Sequence, residues 1–212
     1  MAFVGWQDAA VDFYDGLEED NSKAWWSAHK AQYDEAVRAP MDALLAELAP
    51  EFGPGKVFRP YRDVRFSKDK SPYKEHIGAV CTDGEGRVNY VQLSAAGLLV
   101  GGGAYQLEGP HLEAVRRAIA DDRTGPELER IVAALGKKGL ALGGEALRTA
   151  PRGYSREHPR IGLLRQKAFY GYREWPVEPW LHTPAVKDRV VEAWRACRPL
   201  HDWLRAREPG RP

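Results

Sequence analysis

The chain has 212 residues, of which 43% are hydrophobic and 29% charged, and a formal net charge of +1. That is enough chain to bury a substantial core as a single domain, residues 1–212, without disulfides or a structural metal. No apolar run approaches the ~20 residues that span a bilayer. The N-terminus turns acidic with no basic-then-apolar leader, so a soluble cytoplasmic protein with no membrane partner is expected.

In chain order, Trp6 to Glu19 carries Ala9, Ala10, Phe13, Tyr14 and Leu17 at helical spacing. Asn21 or Ser22 caps a second helix through Trp25, Trp26, His29, Tyr33 and Val37. Pro40 starts a third, Met41 to Leu48, which Pro50, Gly53, Pro54 and Gly55 end. The period then changes. Ile77–Thr82 and Val88–Ser94 read as strands joined by a hairpin at Asp83-Gly84-Glu85-Gly86, and Gly97 opens a further run to Tyr105. Helices follow at Pro110–Ala120 and Pro126–Leu135, with Thr124 as a cap and Gly136 and Gly139 as stops. Residues 140–156 look irregular, and a short helix is expected at Pro159–Leu164. Lys167–Trp175 alternates as a strand does. Thr183-Pro184 opens a last helix with the stripe Val186, Val190, Trp194 and Cys197, which Pro199 kinks or breaks. The expected fold class is α+β: an antiparallel sheet, made of a central meander plus a later strand, flanked by N-terminal and C-terminal helices.

The near-zero net charge hides an asymmetry. Residues 1–55 carry three basic and eleven acidic side chains, residues 56–76 seven and three, and residues 148–173 seven and one. A duplex-binding protein is usually basic overall; a local anion pocket needs only local positive charge. The first basic block contains Arg59, Arg62, Arg65, Lys68, Lys70 and Lys74 against Asp63 and Asp69, with Tyr61, Phe66 and Tyr73 interleaved. It is too basic for a core strand and too aromatic for a solvated loop. Arginine offers a planar fork to phosphate or carboxylate oxygens and lysine a point charge. Ion-pair networks can mimic such sites, so a purely structural loop lock is a competing reading.

Other chemistries have weak signals. The histidines show no paired metal-ligand spacing and Cys81 and Cys197 no CxxC partner; reduced, buried thiols and no metal are expected. Gly101-Gly102-Gly103 lies within a strand-like run with no Lys-Ser/Thr after it, so it reads as close packing or a bulge rather than a phosphate loop. No cofactor is indicated.

The string Arg62-Asp63-x-Arg65-Phe66-Ser67-x-Asp69-Lys70-x-Pro72-Tyr73-Lys74 resembles the signature of an uncharacterised family, domain of unknown function 2461. Asn21 with Trp25 and Trp26, Gln92, Gly101 to Gly103 with Tyr105, and the motifs Pro151-Arg152-Gly153-Tyr154 and His158-Pro159-Arg160 followed by Leu164 and Lys167 extend that resemblance over nearly the whole chain. The resemblance implies a domain identity and a site location but names no reaction.

The expected function is binding, with or without turnover, of a phosphorylated or carboxylated small molecule. Arg59, Arg62, Arg65, Lys70 and Lys74 would hold the anion, joined by Arg152 and Arg160 if the two basic blocks meet. Asp63, Tyr73 and His76 are the candidates for proton transfer. The alternatives are a nucleic-acid-binding module that tracks phosphates with both blocks and stacks bases on Tyr61, Phe66 or Tyr73, and an interaction domain whose basic segment is structural. Sequence alone leaves the oligomeric state open.

Overall fold

A computed structural model describes residues 2–65 and 67–210 of the protein. The chain is α+β as expected, with antiparallel strands flanked by N-terminal and C-terminal helices. It divides into two compact units, Met1–Val100 with Glu174–Glu192, and Gly101–Arg173 with Ala193–Pro212. Among the described residues six strands follow the order β1-β2-β3-β4-β6-β5: β1 Gly55–Val57, β2 His76–Thr82, β3 Val88–Ser94, β4 Gly97–Ala104, β5 Ala141–Gly143 and β6 Phe169–Trp175.

In the first unit, helix α1 (Asp8–Glu19) turns Ala10, Phe13, Tyr14 and Leu17 inward. Helix α2 (Lys23–Gln32) starts at Ser22, whose hydroxyl accepts the amide of Trp25. Sequence spacing suggests separate second and third helices, but the chain does not break. It passes through a π-helical stretch, Tyr33–Arg38, straight into α3, Ala39–Phe52. Pro40 has no N–H for the ordinary bond four residues back, and the ladder widens just before it, so that the Ala39 amide reaches the Asp34 carbonyl. Pro50 is likewise absorbed within α3, which ends only at Gly53 with φ +79°. A side chain there would press on the Thr82 carbonyl, so glycine is required twice over.

Strand β2 pairs with β3 over its whole length, His76 opposite Ser94 and Thr82 opposite Val88, and β1 adds Gly55 to Val57 against Cys81 to Ala79. Alternation sends Ile77, Ala79 and Cys81 with Val91 and Leu93 into the core. His76, Gly78 and Val80, with Tyr90, Gln92 and Ser94, occupy the other face. Fully burying each large apolar side chain contributes about 1.5–3 kcal/mol, and Phe13, Leu17, Leu44, Leu48, Ile77 and Leu93 are each 2% exposed or less.

The second unit holds the later part of β4, β5 and most of β6, with α4 (Gly109–Ala120), α5 (Gly125–Lys137), the short α6 (Ile161–Leu164) and the end of α7 (Ala185–Arg205). Gly143 lies opposite Tyr170 and Ala141 opposite Tyr172, so part of the stretch expected to be irregular is a short edge strand. Helix α7 runs through Pro199 unbroken; Leu200, Trp203 and Leu204 are buried beyond it, and that burial outweighs the missing hydrogen bond. Among the described residues no helix is long and apolar enough to cross a membrane.

Candidate functional site

The pairing of β1 with β2 outlasts β1 itself: the Phe58 amide donates to the Gly78 carbonyl at 2.9 Å. The chain then leaves the sheet and returns through a narrow neck. Arg62 N donates to Pro72 O at 2.9 Å, Lys74 N donates to Pro60 O at 2.8 Å, and Tyr61 bridges Tyr73. Both prolines serve as acceptors only, the role left to a residue without an N–H. Beyond the neck the loop folds on its own polar side chains. Asp69 Oδ1 accepts the Ser71 amide at 2.9 Å and its hydroxyl at 2.6 Å. Lys70 Nζ donates to the Val64 carbonyl at 2.9 Å. Phe66 lies outside the described residues.

The neck is anchored from the N-terminal helices. Asn21 Nδ2 donates to the Tyr73 carbonyl at 3.1 Å, and its Oδ1 accepts the Tyr73 amide at 3.1 Å, as a neighbouring strand would. Its Nδ2 also reaches Glu75 Oε1 at 3.2 Å. The Tyr73 ring lies flat on Trp26, centroids 4.2 Å apart and planes 6° apart, and Trp26 in turn packs on Phe13 and Tyr33. Ser22 is therefore the helix cap, and Asn21 a clamp on a residue far away in sequence. Helical spacing and capping preference do not reveal that role.

The charges sort themselves into pairs and a remainder. Arg65 grips Asp63 with Nε to Oδ1 at 2.9 Å and Nη2 to Oδ2 at 2.7 Å. Arg62 Nη1 lies 2.5 Å from Asp69 Oδ2. Hydrogen bonds from Arg65 hold the Asp63 carboxyl below its ordinary range, and those from Ser71, with Arg62, do the same for Asp69. Asp63 is thus a counter-ion and a weak base. Among the described residues Arg59, Lys68, Lys70 and Lys74 form no ion pair with a carboxylate. Burial and the Arg59 charge lower the Lys74 pKa. Burial, then Lys74, lower that of His76, with Arg62 adding to the effect and Glu75 opposing it. Burial and Tyr61 raise the Tyr73 hydroxyl, so it stays protonated near neutrality. Lys74 Nζ sits 5.5 Å above the Phe58 ring.

The second basic block is bonded differently, within its own unit. Arg160 is 8% exposed. It donates from Nε to Ile119 O at 2.7 Å and from Nη2 to Asp122 Oδ1 at 2.7 Å, with Ala120 O and Asp121 O also in reach. It thereby caps the C-terminal end of α4. Arg165 donates to the carbonyls of Leu147 and Arg148, Lys167 to Glu145, and Arg173 to Lys138 O. Arg152 stands in an exposed turn.

No curated protein and no solved structure shows significant similarity to this chain. The Asn21 clamp, the Trp26 stack and the 62–74 loop join the separate sequence motifs of the first unit into one feature. A family model described as Conserved hypothetical protein (DUF2461) matches residues 9–203, and the chain belongs to that family.

Proposed function

We propose that the first unit binds a phosphorylated or carboxylated small molecule at the neck of the 59–74 loop. The observation that carries this reading is the unequal pairing of charge. Asp63 and Asp69 are taken by Arg65 and Arg62. Burial first, and then like charge from Arg59 on Lys74 and from Lys74 on His76, depresses both groups, so these cations are held close together. A structural loop lock does not need that repulsion; an anion relieves it. Arg59 and Lys74 are the primary anion contacts, with Arg62 at the edge. His76 is the group best suited to moving a proton, since its depressed pKa keeps the imidazole neutral near neutrality.

The test is a thermal-shift series with sulfate, which stays divalent across the pH range used, against chloride at matched ionic strength. Binding to the native state alone stabilises it by about 2.7 kcal/mol at a hundredfold excess over Kd. Sulfate should raise Tm where chloride does not, and Arg59→Ala with Lys74→Ala should remove the rise. Protonating His76 adds positive charge to the site, so the sulfate effect should grow as pH falls below the ordinary histidine value of 6.5. Equal effects of sulfate and chloride at every pH would make the segment structural.

A further inference from the structure

The cationic cluster does not stand alone on its face of the sheet. Phe58, just past β1, with Gly78 on β2 and Gln92 on β3 form one row, fixed by the Phe58 to Gly78 hydrogen bond and the Gly78–Gln92 register. Gly78 is bare backbone, and the Tyr90 side chain crosses it: a Cβ at Gly78 would lie 2.5 Å from Tyr90 Oη. The Phe58 and Tyr90 rings lie 6.3 Å apart at 32°, and Phe58 is 37% exposed. The Tyr90 hydroxyl donates to Gln92 Oε1 at 2.7 Å, which fixes the amide with Oε1 engaged. The Gln92 Nε2 donor takes no partner among the described residues. Lys74 links the two parts, since it belongs to the cationic cluster and its Nζ lies over the Phe58 ring.

We infer that the anion bound at this neck is the phosphate of a small molecule carrying a flat heteroaromatic ring, the class of a nucleoside monophosphate, with the ring on the Phe58–Tyr90 shelf and an acceptor on its edge facing Gln92. The inference rests on the anion-site reading and adds the chemistry of the rest of the ligand. An inorganic or sugar phosphate would use the cations and leave the aromatic shelf and the oriented amide without a role. Stacking on one aromatic side chain contributes about 1–3 kcal/mol per base, so the ring should improve affinity by at least about fivefold over the same phosphate without it.

The experiment compares adenosine and uridine 5′-monophosphates, ribose 5-phosphate and a short single-stranded oligonucleotide by calorimetry, on the full chain and on Phe58→Leu, Tyr90→Phe and Arg59→Ala variants, each checked for folding by circular dichroism. One or both nucleotides should bind at least fivefold more tightly than ribose 5-phosphate. Phe58→Leu should erase that advantage, bringing nucleotide and ribose 5-phosphate to equal affinity, and Arg59→Ala should weaken every phosphate. Saturation-transfer signals from the base protons should vanish in Phe58→Leu. Equal affinity for nucleotides and ribose 5-phosphate overturns this inference and leaves the anion site standing. Failure of every phosphate overturns both. Oligonucleotide binding far tighter than either mononucleotide overturns the small-molecule assignment in favour of a single-stranded nucleic acid.

Discussion

Replacing Asn21 by alanine removes both partners that Tyr73 has for its backbone amide and carbonyl, at 3.1 Å each. Tyr73 is 5% exposed, so neither group is readily reached by water. A buried polar group left without a partner costs about 1–3 kcal/mol. Two such groups at a partly buried site put the loss at about 2–4 kcal/mol, and for a chain of this size each kcal/mol lowers Tm by about 2–4 °C. Asn21→Ala should therefore melt about 4–16 °C below wild type by differential scanning fluorimetry, monitored in parallel by tryptophan emission because Tyr73 stacks on Trp26. Asn21→Asp separates the two halves of the clamp. It keeps the acceptor for the Tyr73 amide but sets a carboxylate against the Tyr73 carbonyl and Glu75. Those neighbours disfavour its ionised form, so its folded-state pKa lies above its unfolded value. The native state then holds the extra proton, and the deficit relative to wild type should widen as pH rises through that pKa and narrow on acidification. A drop of less than 2 °C in Asn21→Ala, or a deficit in Asn21→Asp that does not change with pH, would show that the neck is held by the Tyr61–Tyr73 pairing alone and that the Asn21 clamp is incidental.

Arg160→Ala strands the buried Ile119 carbonyl and loosens those of Ala120 and Asp121, while the exposed Asp122 carboxylate is left to solvent; it should lower unfolding stability by about 1–3 kcal/mol, read from the urea midpoint, and Arg160→Lys should recover only part, since a point charge cannot serve the same spread of acceptors. The two thiols predict a change at alkaline pH: burial pushes Cys81 up to about 11 and Cys197 up to about 12, from an ordinary value of 9.0. The folded state therefore keeps protons that the unfolded chain sheds, and this stability, fully present below pH 9, falls as pH rises towards the folded values. Urea titrations should show the double variant Cys81→Ala/Cys197→Ala losing about 1–3 kcal/mol less than wild type between pH 8 and pH 10; equal losses in both proteins would refute this.

The outline of the fold was readable because it rests on periodicity. The helical stripe of Phe13, Tyr14 and Leu17, and the turn at Asp83-Gly84-Glu85-Gly86 between alternating runs, are local signals, and both elements stand where they were expected. What escaped the sequence depends on partners far along the chain. Gly55–Val57 is a strand only because Cys81 to Ala79 lie beside it, and Ala141–Gly143 only because of Tyr170 to Tyr172. Pro40, Pro50 and Pro199 all suggest helix ends, yet a π-helical turn absorbs the first and α3 and α7 run through the others. The position of the candidate site was legible in the run of arginines and lysines. Its anchor was not, because Asn21 and Tyr73 are 52 residues apart and nothing local marks Asn21 as more than a cap.

The two basic blocks carry the last lesson, because by composition the second is the more cationic of the two. A guanidinium can satisfy carbonyl oxygens as readily as it can hold an anion, and a charge count cannot tell these uses apart. In the second block Arg160, Arg165 and Arg173 donate to carbonyls, and Lys167 is matched to Glu145. Those four are occupied before any ligand arrives, and the block's other cations, Arg148, Arg152 and Arg156, stand exposed with no aromatic surface beside them among the described contacts. In the first block the two carboxylates go to Arg62 and Arg65, and Arg59 and Lys74, the latter over the Phe58 ring, form no ion pair among the described residues. The choice between structure and binding therefore turns on where each donor goes. By that criterion the neck at Arg59, Lys74 and His76 is the place to look for a ligand, and Arg160 is the place to look for stability.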